Sequence, residues 1–315
     1  MSVTKITDNI YFLKGLRSSN IYFFNYKKRA IIDTGYFEEF DSNYKIFLDN
    51  GFDLKKVDYI INTHSHGDHN GANALLKKYN PSIKIYASDE TSIYQKRRDD
   101  YNLFSDSEDN FDNYKIDIEL GDNSTIDLGD CELKVIKTKG HTIDSISLYL
   151  ESENILFSGD TVYNRVIPQI DYYQDLFISL KELNISYQKL LNLNLKTIYT
   201  GHGEAITNPN ENLDYCIKKM RRFERDIELP LINNLIPSIQ FLISKYKTND
   251  KKLITENIYN NLFKLKKIFY LDENRFDKVI EKAFSLMRAI NIIKVEDDKI
   301  YLVGKLNEYF GNIKN

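Results

Sequence analysis

The five histidines of this 315-residue chain are grouped rather than scattered. Three lie within the segment Thr63-His-Ser-His-Gly-Asp-His69, and the other two, His141 and His202, each have a neighbouring glycine. A lone histidine is usually explained by core packing or a surface position, but that explanation would have to hold five times here. Because neutral imidazole is the commonest metal ligand among side chains, the grouping favours a metal site.

The segment that holds three of the histidines is predicted to connect a strand to a helix. The apolar run 57–62 just before it is typical of a buried strand. Residues 70–79 just after it are good helix formers with apolar side chains spaced for one face. The ligands are therefore expected on a strand-to-helix loop.

The spacing within this loop suits two metal ions rather than one. In extended backbone, residues two apart project to the same side, so His64 and His66 can share one ion. Asp68 and His69, at the helix start, can turn toward a second. Two ions about 3.5–4 Å apart form a known catalytic arrangement, whereas a closed structural site more often uses cysteines.

Charge is distributed unevenly along the chain. Residues 1–208 hold 23 Lys and Arg against 31 Asp and Glu, a net charge of −8, whereas residues 209–250 carry +1 and residues 251–315 carry +4. An acidic half helps to hold cations and disfavours a long nucleic-acid substrate. The substrate is therefore expected to be a small molecule, with RNA as the less favoured partner.

The N-terminal residues, the lengths of the apolar runs and the cysteines indicate where in the cell the protein is expected. Residues 1–10 are charged and lack the apolar stretch of a secretory signal, and no later run is long enough to span a bilayer. We therefore expect a cytoplasmic protein with no membrane partner. Cys131 and Cys216 are too few for a disulfide framework and are interpreted as buried small hydrophobes.

The first 208 residues alternate strand-like runs with helical patterns, which predicts helices packed over sheets. Residues 88–114 are polar and acid-rich, and a solvated loop is preferred there over a substrate lid. The predicted helices span residues 37–50, 71–79 and 175–192. The predicted strands span residues 10–13, 20–24, 29–32, 57–61, 83–86, 132–136, 145–150, 155–157 and 197–199.

The composition changes after residue 208, and three regions are predicted: a catalytic domain at 1–208, a helical linker at 209–250 and a small C-terminal domain at 251–315. In the linker, residues 212–229 read as one long charged helix and residues 235–246 as another. Pro230 is expected to interrupt the helical pattern between these two helices, and Pro237 to interrupt it within the second.

The C-terminal domain has the pattern of a winged helix. A helical run at 254–264 precedes an amphipathic helix at 275–291, and residues 292–295 and 299–303 read as a hairpin. Winged helices often bind nucleic acid, but this helix mixes acidic and basic residues and its hairpin turn is acidic. A homodimer contact or an active-site wall is therefore preferred.

Five motifs follow one another along the chain: Ile31-Ile-Asp-Thr-Gly35, Thr63-His-Ser-His-Gly-Asp-His69, Gly140-His141, Ser158-Gly-Asp-Thr161 and Gly201-His-Gly203. In this order they resemble the motifs of the metallo-β-lactamase superfamily, and the resemblance covers about residues 6–206. It implies an α+β fold, an αββα sandwich with its metals at one edge, followed here by the helical, winged-helix-like C-terminal domain.

Carried over residue by residue, the resemblance implies a dinuclear site. One metal would be held by His64, His66 and His141, the other by Asp68, His69 and His202, and both by a bridging Asp160. A water shared by the two cations would be acidified to a bridging hydroxide near neutral pH, and Asp68 could also act catalytically by shuttling a proton.

Asp33 matches the early aspartate motif of the superfamily. The match implies a carboxylate outside the metal ligands that orients one of them or a backbone N–H. A simple turn-stabilising role for this side chain is an equally good interpretation of the sequence.

Asp160 and His66 indicate which branch of the superfamily the chain resembles. Familiar β-lactamases lack a bridging aspartate at the position of Asp160, whereas proteins similar to glyoxalase II, lactonases and ribonuclease Z have one. His66 argues against diiron oxygen-reducing relatives, which usually carry glutamate there, but persulfide dioxygenases keep a similar motif with one iron. Two divalent ions are expected, with zinc as the first choice and iron or manganese as alternatives.

Three functions follow from these residues. The preferred one is metal-dependent hydrolysis of a small ester, thioester or lactone. The second is a phosphodiesterase or endoribonuclease, because a lactamase domain with a winged-helix-like tail is similar to the lactamase-β-like endoribonucleases. The third is a metal-binding regulatory protein with little turnover. No substrate-binding residue can be assigned, since Tyr163 and Tyr172, nearest to Asp160, are more readily explained by packing.

Overall fold

The computed structural model describes residues 3–15, 18–93, 95, 114–171, 174–246, 249–260, 272–297 and 299–303. The strands within this part of the chain are β1 Thr4–Lys5, β2 Ile10–Leu13, β3 Ile21–Asn25, β4 Arg29–Ile32, β5 Tyr59–Ile61, β6 Lys84–Ser88, β7 Ile118–Leu120, β8 Thr125–Asp127, β9 Glu132–Lys137, β10 Ile146–Leu150, β11 Ile155–Phe157, β12 Thr197–Tyr199, β13 Ile293–Glu296 and β14 Lys299–Leu302. The α-helices are α1 Phe40–Asp49, α2 Gly67–Asn70, α3 Asn73–Tyr79, α4 Leu176–Leu191, α5 Pro209–Phe223, α6 Glu228–Tyr246, α7 Lys251–Ile258 and α8 Glu273–Ala289.

The strands form two large sheets and a hairpin. The first sheet has the order β1 to β7, antiparallel up to β4 and parallel from β4 to β7. The second sheet has the order β12-β11-β10-β9-β8, and only the β11–β12 pair in it is parallel. All nine predicted strands are confirmed, with ends that differ by at most two residues.

Side-chain alternation along β3 shows why the sheets form a sandwich. Tyr22 and Phe24 point into the core between the sheets, whereas Ile21 and Phe23 pack on the outer face with α1 residues such as Phe47. A sheet that is apolar on both faces needs a second sheet on one side and helices on the other. The predicted αββα sandwich is confirmed.

The C-terminal helices continue the core on the outer face of the second sheet. One apolar cluster joins Leu183 of α4, Leu213 of α5, Leu235 of α6, Phe276 of α8 and Ile300 of β14. The predicted helix-then-hairpin order is present in α8, β13 and β14, with β13 and β14 antiparallel. The domain boundaries and the winged-helix assignment stay predictions, and residues 261–264 of the predicted helix lie outside the described residues.

Two predictions about the linker helices are wrong. The expected single helix at 212–229 ends at Phe223, because Asp226 accepts a hydrogen bond from the Glu228 N–H (3.0 Å) and starts α6 in a new direction. Pro237 does not interrupt a helix, since α6 runs through it. The buried apolar face of α6 compensates for the one backbone hydrogen bond that proline cannot donate.

The cysteine interpretation holds for one residue of the two. Cys216 is buried in the cluster beneath α5, whereas Cys131 is only partly buried at the edge of the core between the sheets. Among the described residues, no single helix is long and apolar enough to cross a bilayer. Helices α5 and α6 reach that length and composition only as a pair, and they are bent by 115°.

Candidate metal centre

The predicted ligands meet at one edge of the sandwich because of how the parallel strands end. Asp33 directly follows β4, and the segment 63–69 follows its parallel neighbour β5. In the second sheet, Asp160 follows β11 and His202 follows the parallel strand β12. The carboxyl ends of parallel neighbours lie at the same sheet edge, which is where ligands are usually bound in such sheets. His141 joins them from the β9–β10 connection.

Direct hydrogen bonds join the two sheets at this edge. The Tyr22 hydroxyl donates to the Thr200 carbonyl (2.6 Å), and the Asn20 N–H donates to the Gly201 carbonyl (2.7 Å). All four residues are buried, so each backbone group needs such a partner. The ligands of the second sheet are thereby held at a fixed distance from those of the first.

His64, His66 and His141 each turn one ring nitrogen toward a common point, and we call these three residues the first ligand group. His66 Nδ1 lies 3.1 Å from His64 Nε2 and 3.0 Å from His141 Nε2. Tetrahedral zinc with bonds of about 2.0–2.1 Å holds its ligand nitrogens roughly 3.3 Å apart, so the spacing fits one ion. As the sequence predicts, the local backbone at His66 is extended just before α2 begins.

Asp68, His69 and His202 form the second ligand group. Asp68 Oδ2 lies 3.0 Å from His202 Nε2 and 3.8 Å from His69 Nε2. Asp68 and His69 come from the first turn of α2, and His202 comes from the loop after β12. A carboxylate with two imidazoles is a donor set suited to zinc and similar divalent ions.

Asp160 lies between the two ligand groups. Its Oδ1 is 3.2 Å from His69 Nε2, and its Oδ2 is 3.6 Å from His202 Nε2 and 3.7 Å from His141 Nε2. This one carboxylate therefore faces a histidine of the first group and two of the second. Such a position fits a ligand shared by two cations.

Asp33 contacts His69 at Nδ1, the ring nitrogen that does not face the other ligands. Its Oδ2 lies 2.8 Å from His69 Nδ1 and accepts a hydrogen bond from the Thr63 hydroxyl (2.8 Å), while its Oδ1 accepts one from the Thr63 N–H (2.9 Å). These partners of Asp33 lie thirty or more positions away in the sequence, so its side chain does not simply stabilise its own turn. Since a carboxylate can only accept from an imidazole N–H, Asp33 keeps a proton on His69 Nδ1, so Nε2 is the nitrogen that would bind a metal once its own proton is displaced.

The first ligand group is held as neutral imidazole. Burial, the largest influence, lowers the pKa of His64 well below its usual value and lowers the pKa of His66 to about 3. Burial likewise lowers the pKa of His141, although the charge of Asp160 opposes it. Because only the neutral ring has a lone pair for a metal, all three residues are in the ligating form near pH 7.

The second ligand group is governed by charge rather than by burial alone. Burial acts to lower the pKa of His69, but the surrounding carboxylates, Asp160 foremost, raise it well above its usual value. The pKa of His202 is also raised, by Asp160 and Asp68 against the effect of burial. In turn, burial acts to raise the pKa of Asp160 and Asp68, but the charged imidazoles hold both below their usual range.

Two contributors to the site were not assigned from the sequence. Tyr163 is buried with its ring centre 6.5 Å from that of His202, and burial, then Asp160, raises its pKa well above its usual value. Buried Asp144 accepts hydrogen bonds from Ser65 (2.6 Å) and Thr91 (3.0 Å), so it braces the residue between His64 and His66. The position of Tyr163 three residues after Asp160 was the only signal available; Tyr172 lies outside the described residues.

Because Gly201 has no side chain, Asp160 and His69 can occupy the space beside its Cα atom. A Cβ atom built on Gly201 would overlap Asp160 Oδ1 and lie 2.8 Å from His69 Cε1. We therefore expect Gly201→Ala to displace the shared carboxylate and to lower metal content and turnover by at least tenfold, since ligand geometry controls affinity. Metal analysis of the purified variant checks this. Gly67→Ala is the matched control, because no atom lies within 4 Å of its Cβ, and equal metal loss in both variants would contradict the explanation.

Comparison with known proteins agrees with this geometry. The family model described as Metallo-beta-lactamase superfamily matches residues 15–202. The chain belongs to the metallo-beta-lactamase superfamily. This match covers the described ligands from His64 to His202, and it ends before the C-terminal helices begin.

Individual members of the superfamily are similar over parts of the chain. A Caenorhabditis elegans protein named beta-lactamase-like protein 2 homolog is 30% identical over 202 residues, which are 64% of this chain and 60% of that protein. A hydroxyacylglutathione hydrolase of Pelagibacter ubique is 28% identical over 162 residues, which are 50% of this chain and 55% of that enzyme. The chain thus covers less than two thirds of either relative.

A solved structure extends the likeness in fold to the C-terminal region. A metallo-beta-lactamase family protein from Thermus thermophilus matches with a TM-score of 0.58 at 14% identity, over 95% of this chain and 100% of that one. The likeness in fold therefore extends past residue 208 into the C-terminal helices.

Proposed function

We propose that this superfamily hydrolase works with two divalent ions, zinc as the first choice, and cleaves a small ester, thioester or lactone. The observation that carries the proposal is the place of Asp160, whose carboxylate oxygens lie 3.2–3.7 Å from histidines of both ligand groups. Two ions held between these ligands would polarise a scissile carbonyl and acidify a water molecule to hydroxide near neutral pH.

The protein's own residues would supply positioning and proton transfer. The Asp68 carboxylate lies 3.0 Å from His202 Nε2 beside the second ligand group, where it would pass a proton from the attacking water to the leaving group. Tyr163, whose raised pKa keeps it protonated, has an O–H that can donate to Asp160 and orient it. Buried, hydrogen-bonded partners of this kind hold catalytic groups in place.

The charges beside the centre favour a small acyl substrate over a phosphodiester. Two cationic side chains on the adjoining loops are already ion-paired, Lys14 with Glu204 and Arg165 with Glu211. A polyphosphate backbone requires several unpaired cations, and residues 1–208 carry −8 overall. The similarity to a hydroxyacylglutathione hydrolase supports a thioester as the first substrate to test.

A phosphodiesterase or endoribonuclease activity is the second candidate. It is favoured by the positive net charge of residues 251–315 and by the helix-then-hairpin order of α8, β13 and β14, which many nucleic-acid-binding domains share. In that case binding to RNA would weaken steeply with added salt.

The deciding experiment uses one preparation with measured metal content and three substrates: a hydroxyacyl-glutathione thioester, a lactone and a bis-aryl phosphodiester. Asp160→Asn in the same assay measures contaminating activity. We expect Asp160-dependent cleavage of the thioester or lactone. Dominant Asp160-dependent cleavage of the phosphodiester would favour the second candidate, and no Asp160-dependent turnover on any substrate would contradict the proposed hydrolase.

A further inference from the structure

His141 is the one predicted ligand that neither lies at the end of a parallel strand nor belongs to the 63–69 loop, and another segment of the chain holds it. Its ring Nδ1 lies 2.5 Å from the carbonyl oxygen of Gln169. Its own carbonyl accepts hydrogen bonds from the Asp171 N–H and the Gln174 side-chain amide, each at 3.0 Å. His141 is thus fixed by Gln169 at its ring and by Asp171 and Gln174 at its backbone carbonyl.

The Gln169 carbonyl decides which ring nitrogen faces the centre. A carbonyl oxygen can only accept a hydrogen bond, so Nδ1 of His141 must carry the proton. Nε2, 3.0 Å from His66 Nδ1, is then left with its lone pair directed into the first ligand group. The orientation of His141 therefore depends on where the Gln169 backbone is held.

Helix α6 holds that backbone through one buried side chain. The Asn234 side-chain amide accepts a hydrogen bond from the Ile170 N–H (2.8 Å) and donates one to the Ile170 carbonyl (2.7 Å). Asn234 thus binds both main-chain polar groups of the residue that follows Gln169. Asn234 and Ile170 are each only 1% exposed, so neither bond can be replaced by solvent.

The Gln169 side chain is anchored to the same helix. Its amide donates to the Asn234 carbonyl (3.1 Å) and to the Ser238 hydroxyl (2.9 Å). Both anchors lie on successive turns of α6, beyond the residues 15–202 that match the superfamily. The C-terminal part of the chain thereby contacts the support of a ligand, although it contributes no ligand itself to the two groups.

We propose that Asn234 is a positioning residue of the metal centre: it fixes the backbone at residues 169–170 so that the Gln169 carbonyl holds His141 in its ligating orientation. This inference rests on the proposed use of His64, His66 and His141 as metal ligands. It assigns to α6 a role in the affinity of the first ligand group, with no effect on the second group.

The expected consequence of Asn234→Ala is specific. The Ile170 N–H and carbonyl lose their partners, the Gln169 carbonyl is no longer held, and the affinity of the first ligand group falls. Loss of an outer partner of a metal-binding histidine typically lowers affinity by about 10–100-fold. The second ligand group keeps its contacts with Asp33 and Asp160, so its affinity stays within about twofold of wild type.

The test is a titration of the full-length, metal-free protein with Co²⁺, followed by visible absorption and competition with a chelator. Gln169→Ala is the second variant, because it removes the side-chain anchors to α6 at a half-buried position and keeps the main-chain carbonyl. Asn233→Ala is the matched control, since its half-buried amide makes one bond, to the Ile167 carbonyl (3.2 Å).

We expect both Asn234→Ala and Gln169→Ala to weaken one Co²⁺ step at least tenfold and to shift its absorption bands, while Asn233→Ala titrates like wild type. If folded Asn234→Ala binds both ions like wild type, the inference about Asn234 is overturned while the proposed function stands. The same holds if Asn233→Ala loses as much Co²⁺ affinity as Asn234→Ala. If Asn234→Ala does not fold, wild-type titration of Gln169→Ala overturns it. Wild-type protein that takes up no Co²⁺ would instead overturn the proposed function.

Discussion

Asp160→Ala is expected to lower kcat/KM by on the order of 10³-fold or more and to leave the purified protein with less than its full metal content. The carboxylate faces both ligand groups, so its removal takes a ligand from each predicted ion. Metal-assisted stabilisation of the transition state amounts to several kcal/mol, and about 1.4 kcal/mol corresponds to a factor of ten in rate. Kinetics on the best substrate and elemental analysis of the same sample measure both effects.

The control for this variant is Asp127→Asn. Asp127 is an exposed residue of β8 whose side chain accepts a bond from the Gly129 N–H, which asparagine can retain. It tests whether loss of a carboxylate elsewhere in the catalytic half changes metal content. Full turnover by folded Asp160→Ala at verified metal content would contradict the dinuclear assignment.

Asp33→Asn is expected to lower metal affinity by about 10–100-fold in a protein that still folds. Asparagine tolerates the left-handed backbone of this residue (φ 58°), and its carbonyl oxygen can still accept from the Thr63 N–H. Its amide nitrogen, however, can occupy the place of the oxygen beside His69 Nδ1, where it removes the acceptor that fixes this ring. Chelator competition and thermal unfolding separate the two effects.

Asp33→Ala supplies the contrast to that variant. Alanine leaves the buried Thr63 N–H without its acceptor and lacks the tolerance for positive φ, so it is expected to lose about 1–3 kcal/mol of unfolding free energy in addition to affinity. A folded Asp33→Asn protein with wild-type affinity would show that the carboxylate stabilises the loop and does not orient His69.

The sandwich and the convergence of the ligands could be predicted because both depend on local patterns. Apolar runs ending just before Asp33, Thr63 and Asp160 indicate strands whose carboxyl ends carry polar side chains. The spacing of His64 and His66 in extended backbone likewise needs only the period of a strand. These features follow from neighbours in the sequence, and the structure brings all of the predicted ligands together.

The support of the site could not be predicted, because it depends on contacts between residues far apart in the chain. Asn234 reads as an ordinary polar residue of an apolar helix, and only the fold brings it to Ile170. The sequence favours packing for Tyr163, since no pattern separates an aromatic residue that supports a ligand from one that only packs in the core. The prediction for the linker helices is wrong for a related reason: the continuity of α6 through Pro237 depends on the buried face that this helix presents to the core.

The hydrogen bonds from Asn20 and Tyr22 to the loop after β12 have a consequence for folding. The two ligand groups draw on both sheets, and neither sheet alone contains a complete group. A metal ion therefore binds tightly only after the sandwich has closed, and its binding free energy is added to the stability of the closed state. Loading the centre with metal should couple the unfolding of the two sheets into one transition, and stripping the metal should weaken that cooperativity.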